Sequence, residues 1–244
     1  MKRVRFIRCL AALAAATTIL TMAAAAKDAK SNSAVVPAPR PDAWWQQRHE
    51  SMNARAKQGH VDLLMIGDSI THGWEGAGKD VWNNYYGKRH AVNLGIGGDQ
   101  TQHVLWRLDH GNIEGISPKL AVLMIGTNNS SSNSPEQIAE GVKAIVDKLR
   151  TKLPQTKVLV LAIFPRGPDN HDRLRQVNTK ANERISKLAD GRTVFFLDIG
   201  PKFLQADDTL SKDIMPDLLH PNAKGYKIWA EAIEPTVAKL MGEK

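Results

Sequence analysis

The 244 residues suffice for one domain of ordinary size or two small ones. An apolar content of 42% is typical of a chain that folds around a core, and it excludes the disordered and fibrous classes. The formal net charge is +8, and beyond the basic residues at the start of the chain the positive charge is scattered, with no run of basic residues alternating with aromatic ones, so no nucleic-acid partner is predicted.

Residues 1–26 are predicted to be a secretory signal peptide, because four basic residues precede an apolar run that ends in small residues near Ala26. An uncleaved membrane anchor is the alternative, since about 18 apolar residues lie at the lower limit of a spanning length. A lipid anchor on Cys9, the only cysteine, is disfavoured by its early position. Cleavage would leave a secreted or periplasmic chain of net charge +4 with no disulfide and no stable membrane insertion.

Residues 27–41 are polar and rich in proline without periodicity, which predicts a flexible linker. The folded domain is expected over residues 42–244, where apolar runs alternate with amphipathic stretches and no repeat occurs. The apolar runs are continuous rather than alternating, as in strands covered on both faces. They predict five strands at residues 61–66, 90–95, 119–126, 157–164 and 193–199.

Helical patterns lie between these strands. The clearest begins at Ser134, with proline at the first helical position and Gln137 completing a capping box. Another stops at Gly191, and a last helix follows Pro221 and is expected to be disturbed at Pro235. The alternation predicts an α/β fold, a parallel sheet with helices on both faces and ligands at the carboxyl ends of its strands.

Ser69, in the segment GDSITHG after the first strand, is the candidate nucleophile. A serine hydroxyl is a poor nucleophile at neutral pH unless a base accepts its proton, and the alternative is that Ser69 only caps a helix. His220, at the start of the last helix, is the candidate base, and Asp217 is close enough in sequence to reach its second ring nitrogen. Metal ligation is disfavoured because no other residue lies at ligand spacing around this pair.

Acyl transfer also requires hydrogen-bond donors for the oxyanion. The backbone N–H groups of Gly98 and Ser69 and the side-chain amide of Asn128 are the candidates. A plain strand-to-helix turn at GIGGDQ and an Asx-type turn at GTNN are the alternatives. A dinucleotide site is excluded because Gln100 stands where the third glycine of that motif belongs.

Several neighbouring residues have less defined roles. His72 lies in the same tight turn as Ser69 and is disfavoured as its base, because it would have difficulty meeting the hydroxyl in line. Asp68 is expected to tie down that turn, and Arg166 is left without an assigned role. The remaining candidates either pack in the core or line the site: Trp44, Trp45, Trp74, His103 and Trp106.

Four segments, in this order, resemble the blocks of the SGNH or GDSL hydrolase superfamily: GDSITHGW, NLGIGGDQTQHVLWRL, GTNN and DLLHPNAKGY. Nearly all of residues 42–240 is similar to the catalytic subunits of intracellular platelet-activating-factor acetylhydrolase, including the FPRG after the fourth strand. The signal peptide and HPNAKGY depart from those enzymes, which leaves the substrate open. Thr71 replaces the second glycine of a Gly-x-Ser-x-Gly elbow, so an α/β-hydrolase proper is disfavoured.

The resemblance implies a three-layer α/β/α sandwich of flavodoxin-like type with a five-stranded parallel sheet. It implies a catalytic triad of Ser69, Asp217 and His220, with Ser69, Gly98 and Asn128 as oxyanion donors, and it implies no metal or organic cofactor. The departures from the acetylhydrolases affect the substrate and not the chemistry.

These observations predict a serine esterase that removes short acyl groups, with a carbohydrate O-acetylesterase as the leading hypothesis. A lysophospholipase or thioesterase is the alternative. A non-catalytic glycan-binding module on the same fold is disfavoured, because a binding protein needs no matched nucleophile and base. The expected partner is a small-molecule or polysaccharide acyl ester, and a homodimer is compatible with the sequence.

Overall fold

A five-stranded parallel sheet organises residues 31–243, the part of the chain that the computed structural model describes. The strands, β1 to β5, are Leu63–Gly67, Ala91–Gly95, Leu120–Met124, Lys157–Leu161 and Val194–Leu197. Each pair is parallel, and the order across the sheet is β2-β1-β3-β4-β5. This is the flavodoxin-like order, and it confirms the predicted fold class.

Seven α-helices connect and flank the strands within the described residues. They are α1 Ala43–Lys57, α2 Ser69–His72, α3 Lys79–Tyr85, α4 Thr101–Asp109, α5 Pro135–Lys152, α6 Arg173–Ile185 and α7 Ala223–Met241. The predicted capping box of α5 is present: Ser134 Oγ accepts from Gln137 N–H at 3.3 Å, and Gln137 Oε1 accepts from Ser134 N–H at 3.1 Å.

Side chains that alternate along each strand enter two separate cores, one on each face of the sheet. Leu64 and Ile66 pack with α1, α4, α5 and α6, whereas Leu63 and Met65 pack with Trp229 and other residues of α7. Each fully buried Leu or Ile contributes about 1.5–3 kcal/mol to stability. Burial on both faces explains why the strands are continuously apolar, and it builds the three-layer sandwich.

Two helix predictions need correction. The α6 helix ends at Ile185, and a 3-10 turn at Ser186–Leu188 completes the stretch that was expected to continue towards Gly191. The α7 helix runs without interruption through Pro235, although a disturbance was expected there. Proline removes one backbone donor, but Ile233 and Val237 on either side are fully buried, and this packing holds the helix together.

The predicted linker over residues 27–41 is wrong from residue 33 onward. Residues 33–41, called here the N-terminal strap, begin with a 3-10 turn at Ser33–Val35 and lie against the domain. Ala34 is fully buried, its carbonyl oxygen accepts from Thr101 Oγ1 at 2.8 Å, and Ala38 N–H donates to the carbonyl oxygen of Gln102. Composition indicated a tether because local periodicity is absent, but these contacts are made with residues distant in sequence.

The predicted signal peptide and residues 27–30 lie outside the described residues. Over residues 31–243, no helix combines the length and apolar character needed to cross a bilayer.

Candidate active site

Ser69 lies just beyond the carboxyl end of β1, an interior strand of the sheet. The strand ends at Gly67, where a Cβ would overlap the Thr71 side chain and the carbonyl oxygen of Met124, so only glycine fits. Asp68 then caps α2 by accepting from Ile70 N–H at 3.0 Å, as predicted for the turn. The turn leaves Ser69 half-buried at the rim of the sheet rather than in the core.

His220, which lies near the C-terminal end of the sequence, contacts this serine. Its Nε2 lies 2.8 Å from Ser69 Oγ, although 151 positions separate the two residues. Its Nδ1 lies 2.6 Å from Asp217 Oδ2. The structure thus brings Ser69, His220 and Asp217 together, and the three side chains form one hydrogen-bonded row.

The backbone between Asp217 and His220 is shaped around the carboxylate. Asp217 Oδ1 accepts from the backbone N–H groups of Leu219 at 3.1 Å and His220 at 2.7 Å, and Leu218 adopts a left-handed φ of 59° to complete the turn. Partial burial alone would raise the pKa of Asp217, but the hydrogen bonds from His220 and Leu219 outweigh it and hold that pKa below its usual value. The carboxylate thus stays ionised beside the imidazole.

The two predicted oxyanion segments contact each other, and Gly97 of the first lies next to Ser69. Gly98 sits in the turn after β2 with a φ of +77°, a conformation that favours glycine. Asn128, in the turn after β3, donates from Nδ2 to the carbonyl oxygen of Asp99 at 2.9 Å, while Gln100 Nε2 donates to Asn128 O at 2.9 Å. These bonds hold the Gly98 and Asn128 turns together, and an amide nitrogen with two hydrogens still has one left to donate.

A buried ion pair beneath the Gly98 turn was not predicted. Arg107 is fully buried on α4, and its Nε donates to Asp99 Oδ2 at 2.9 Å. It also donates to the Leu94 carbonyl oxygen at 3.0 Å, and Trp45 Nε1 donates to Asp99 Oδ1 at 2.7 Å. Burial raises the pKa of Asp99, while Arg107 and the Trp45 hydrogen bond act against that rise. The sequence could have indicated this ion pair, because Arg107 shares an apolar helix face with Val104 and Leu108. A charged side chain on such a face needs a buried partner of opposite charge.

His72 is not the partner of Ser69. Its Nδ1 instead accepts from Gly97 N–H at 3.3 Å, and burial followed by the charge of Arg48 lowers its pKa. This contact requires a neutral His72 ring, because a protonated Nδ1 could not accept the hydrogen bond from Gly97 N–H. The low expectation for His72 as the base agrees with this geometry.

The remaining candidates divide into core and rim. Trp45 and Trp74 are fully buried, His103 Nδ1 accepts from Gln100 N–H at 2.9 Å as part of the α4 cap, and Trp106 stacks on His110. Arg166 Nη1 lies 3.3 Å from both the carbonyl and the hydroxyl oxygen of Thr127, so it braces the turn before Asn128. Only Trp44 of this group is largely exposed, at 47%.

Residues 65–228 match the model of the GDSL-like Lipase/Acylhydrolase family, and the chain belongs to that family of ester hydrolases. It is 37% identical to the platelet-activating factor acetylhydrolase IB subunit alpha1 of Rattus norvegicus over 83% of this chain and 86% of that protein. The resemblance inferred from the four segments is confirmed.

Solved structures of the same fold include a GDSL-like lipase from Bacteroides thetaiotaomicron, with a TM-score of 0.64 and 20% identity over 79% of this chain and 97% of that one. They also include an acetylxylan esterase from Geobacillus stearothermophilus, with a TM-score of 0.59 and 18% identity over 76% of this chain and 96% of that one. At these identities the likeness concerns the fold.

Proposed function

We propose that this chain is a serine esterase that removes short acyl groups, acetyl above all, through an acyl-serine intermediate. The observation that carries the proposal is the hydrogen-bonded row from Ser69 Oγ through His220 to Asp217. A hydroxyl becomes a strong nucleophile when a neighbouring imidazole accepts its proton. Membership of the acylhydrolase family supports the same chemistry.

In this mechanism Ser69 Oγ attacks the ester carbonyl carbon while His220 Nε2 takes the hydroxyl proton. The carbonyl oxygen becomes an oxyanion that the backbone N–H groups of Ser69 and Gly98 and the Asn128 amide stabilise. Collapse breaks the bond to the alcohol, which leaves with the proton from His220. A water molecule activated by His220 then attacks the acyl-serine, releasing the carboxylic acid and restoring Ser69.

One observation favours a short acyl group. The mammalian relative that is 37% identical is named an acetylhydrolase, and its name therefore specifies the two-carbon acetyl group.

The preferred substrate is proposed to be an acetylated carbohydrate, and the enzyme is proposed to work in the periplasm or outside the cell. The predicted signal peptide supports export, and acetylated polysaccharides are ester substrates found outside the cytoplasm. An acetylated phospholipid is the second candidate, because the mammalian relative is named for platelet-activating factor.

The test is hydrolysis of p-nitrophenyl acetate, followed by acetate release from acetylated xylan and from a short-chain 2-acetyl phosphocholine lipid. Ser69→Ala and His220→Ala are expected to lose about three orders of magnitude or more in kcat with unchanged far-UV circular dichroism. Ser51→Ala and His171→Ala are matched controls, since Ser51 is an exposed serine bonded within its own helix and His171 pairs with an aspartate, Asp169, on the surface. Full activity in either site variant would refute the assignment.

A further inference from the structure

Trp44 differs from the other tryptophans near the site because it is exposed. It is 47% exposed at the start of α1, whereas Trp45 and Trp74 are 0% and 1% exposed. The other large apolar side chains exposed within residues 31–243 are Val35 and Val36 of the N-terminal strap. An indole ring left in solvent beside a reactive group offers apolar surface that a bound molecule can cover.

The ring of Trp44 borders the same small space as the proposed nucleophile. A Cβ on Gly97 would lie 3.9 Å from Ser69 Cβ and also 3.9 Å from Trp44 Cη2. His72 Nδ1, at the same distance, bounds the third side. A group attached to an ester oxygen at Ser69 therefore has the edge of the Trp44 indole within reach.

The strap fixes this ring in position. Arg40 Nη1 donates to the Gly97 carbonyl oxygen at 2.7 Å, and the Arg40 guanidinium carbon lies 5.2 Å from the centroid of the Trp44 ring. Asp42 Oδ2 accepts from Arg40 Nε at 3.1 Å and completes the arrangement. Because the ring is held before any ligand arrives, binding to it costs little conformational entropy.

We propose that the indole of Trp44 is the packing surface for the sugar ring of an acetylated carbohydrate, whose ester group reaches Ser69 past the Cη2 edge of the indole. This inference rests on the proposed esterase function and names its alcohol-side subsite. The C–H face of a sugar is apolar and packs against an aromatic face, while its hydroxyl groups remain in water.

The charge beside Trp44 disfavours the quaternary ammonium group of a phosphocholine ester at this ring. A quaternary ammonium group is also attracted to an indole face, but Arg40 already places a cation at this ring. A second cation would meet like-charge repulsion, which the Arg40–Asp42 pair reduces without removing. A neutral sugar ring, such as the xylose of xylan, meets no such repulsion.

The direct test measures binding in a chain that cannot turn over its ligand. Acetylated xylotetraose is titrated by calorimetry into the Ser69→Ala chain and into the same chain with Trp44→Ala added. We expect the second chain to bind about tenfold more weakly, which corresponds to about 1.4 kcal/mol and lies in the range of aromatic contacts. Trp44→Phe should recover most of the affinity, and Val36→Ala, a control at an apolar side chain that is even more exposed, should change nothing.

A kinetic arm separates stacking from support of the oxyanion turn. With Ser69 present, Trp44→Ala should lower kcat/KM for acetylated xylotetraose about tenfold relative to kcat/KM for p-nitrophenyl acetate, with the loss in KM. An equal loss on both substrates would mean that Trp44 acts through the Gly97 turn, and it would overturn the proposal.

Other outcomes also overturn it: no binding of the oligosaccharide, equal binding with and without Trp44, or a larger loss of affinity for a short-chain 2-acetyl phosphocholine. The last result would assign the indole to a lipid headgroup. Failure of the proposed function is distinguishable, because it appears as an unaltered chain that does not hydrolyse p-nitrophenyl acetate, whereas the binding arm needs no hydrolysis.

Discussion

His220 presents a different ring nitrogen to each of its two partners. Ionised Asp217 can only accept a hydrogen bond, so the 2.6 Å contact with Nδ1 places the proton on that nitrogen. Nε2 is then free to accept from Ser69 Oγ at 2.8 Å, which is the tautomer that a general base requires. The two contacts together define the direction of proton transfer.

Asp68 beside the nucleophile has an unusual environment. It is fully buried, its Oδ1 accepts from Ile70 N–H, and its Oδ2 has no hydrogen-bond partner in the described residues. Burial raises its pKa to about 7 against the opposing Ile70 bond, and the nearby Asp99 charge adds to the rise. A carboxyl group of this kind makes stability depend on pH.

The sign of that dependence follows from proton binding. Between the usual value of 3.8 and about 7, the folded chain holds a proton on Asp68 that the unfolded chain has released. The contribution of Asp68 to the free energy of unfolding is therefore fully present below pH 3.8 and is lost as the pH rises towards 7. Asp68→Asn carries no such proton and should not show the loss.

We expect the free energy of unfolding of Asp68→Asn, relative to the unaltered chain, to increase as the pH rises from 4 to 7. The increase should not exceed about 1.4 kcal/mol per pH unit. Urea unfolding at pH 4.5, 5.5 and 6.5 measures it. A difference that stays constant over this range would show that Asp68 does not titrate there.

At the scale of elements, α4 connects the hydrophobic core to the oxyanion turn. Arg107 bonds backward to Asp99 and to the Leu94 carbonyl oxygen, and its Nη1 donates to Asn112 Oδ1 at 2.7 Å. The helix thereby fixes the end of β2 and the turn that carries Gly98. A buried pair of this kind destabilises the fold strongly when one partner is removed alone.

Arg107→Met should lower the free energy of unfolding by about 3–5 kcal/mol, because the buried Asp99 carboxylate loses its hydrogen-bonded cation and keeps only Arg40, 3.9 Å away. The double variant Asp99→Asn with Arg107→Met should recover part of that loss, since no uncompensated charge remains. Urea unfolding of the two single variants and the double variant measures the coupling. A cost below about 1 kcal/mol for Arg107→Met would contradict the role of the pair.

In the molecule as a whole, the features that short sequence patterns indicate could be predicted from the sequence. Apolar runs predicted the five strands, and because parallel strands end at one edge, the segments carrying Ser69, Gly98 and Asn128 were expected together. The α5 cap was also predictable, since Ser134 and Gln137 are three residues apart.

The features that were missed depend on contacts between distant residues. The strap has no periodicity and is held by Thr101 and Gln102, which only the fold brings near it. Trp44 and Trp45 are adjacent in sequence, yet one is exposed and the other is buried against Asp99. Neither outcome follows from local propensity.

The proposed export predicts where the mature chain begins. Cleavage near Ala26 would remove the signal peptide and leave the N-terminal strap intact. We expect the intact mass of protein recovered from the periplasm or medium to match a chain that begins at Lys27. Recovery of the full-length mass from the cytoplasm alone would contradict the proposed export. Cleavage within residues 33–41 would contradict the structural role of the strap.

Ser69 is proposed to be a nucleophile that His220 activates by accepting its hydroxyl proton. A fluorophosphonate probe followed by peptide mass spectrometry tests it directly, because the probe forms a covalent adduct only with an activated serine. We expect one adduct, on the peptide containing Ser69, and much slower labelling in folded His220→Ala. A folded chain with no adduct, or with its adduct on another serine, would contradict it.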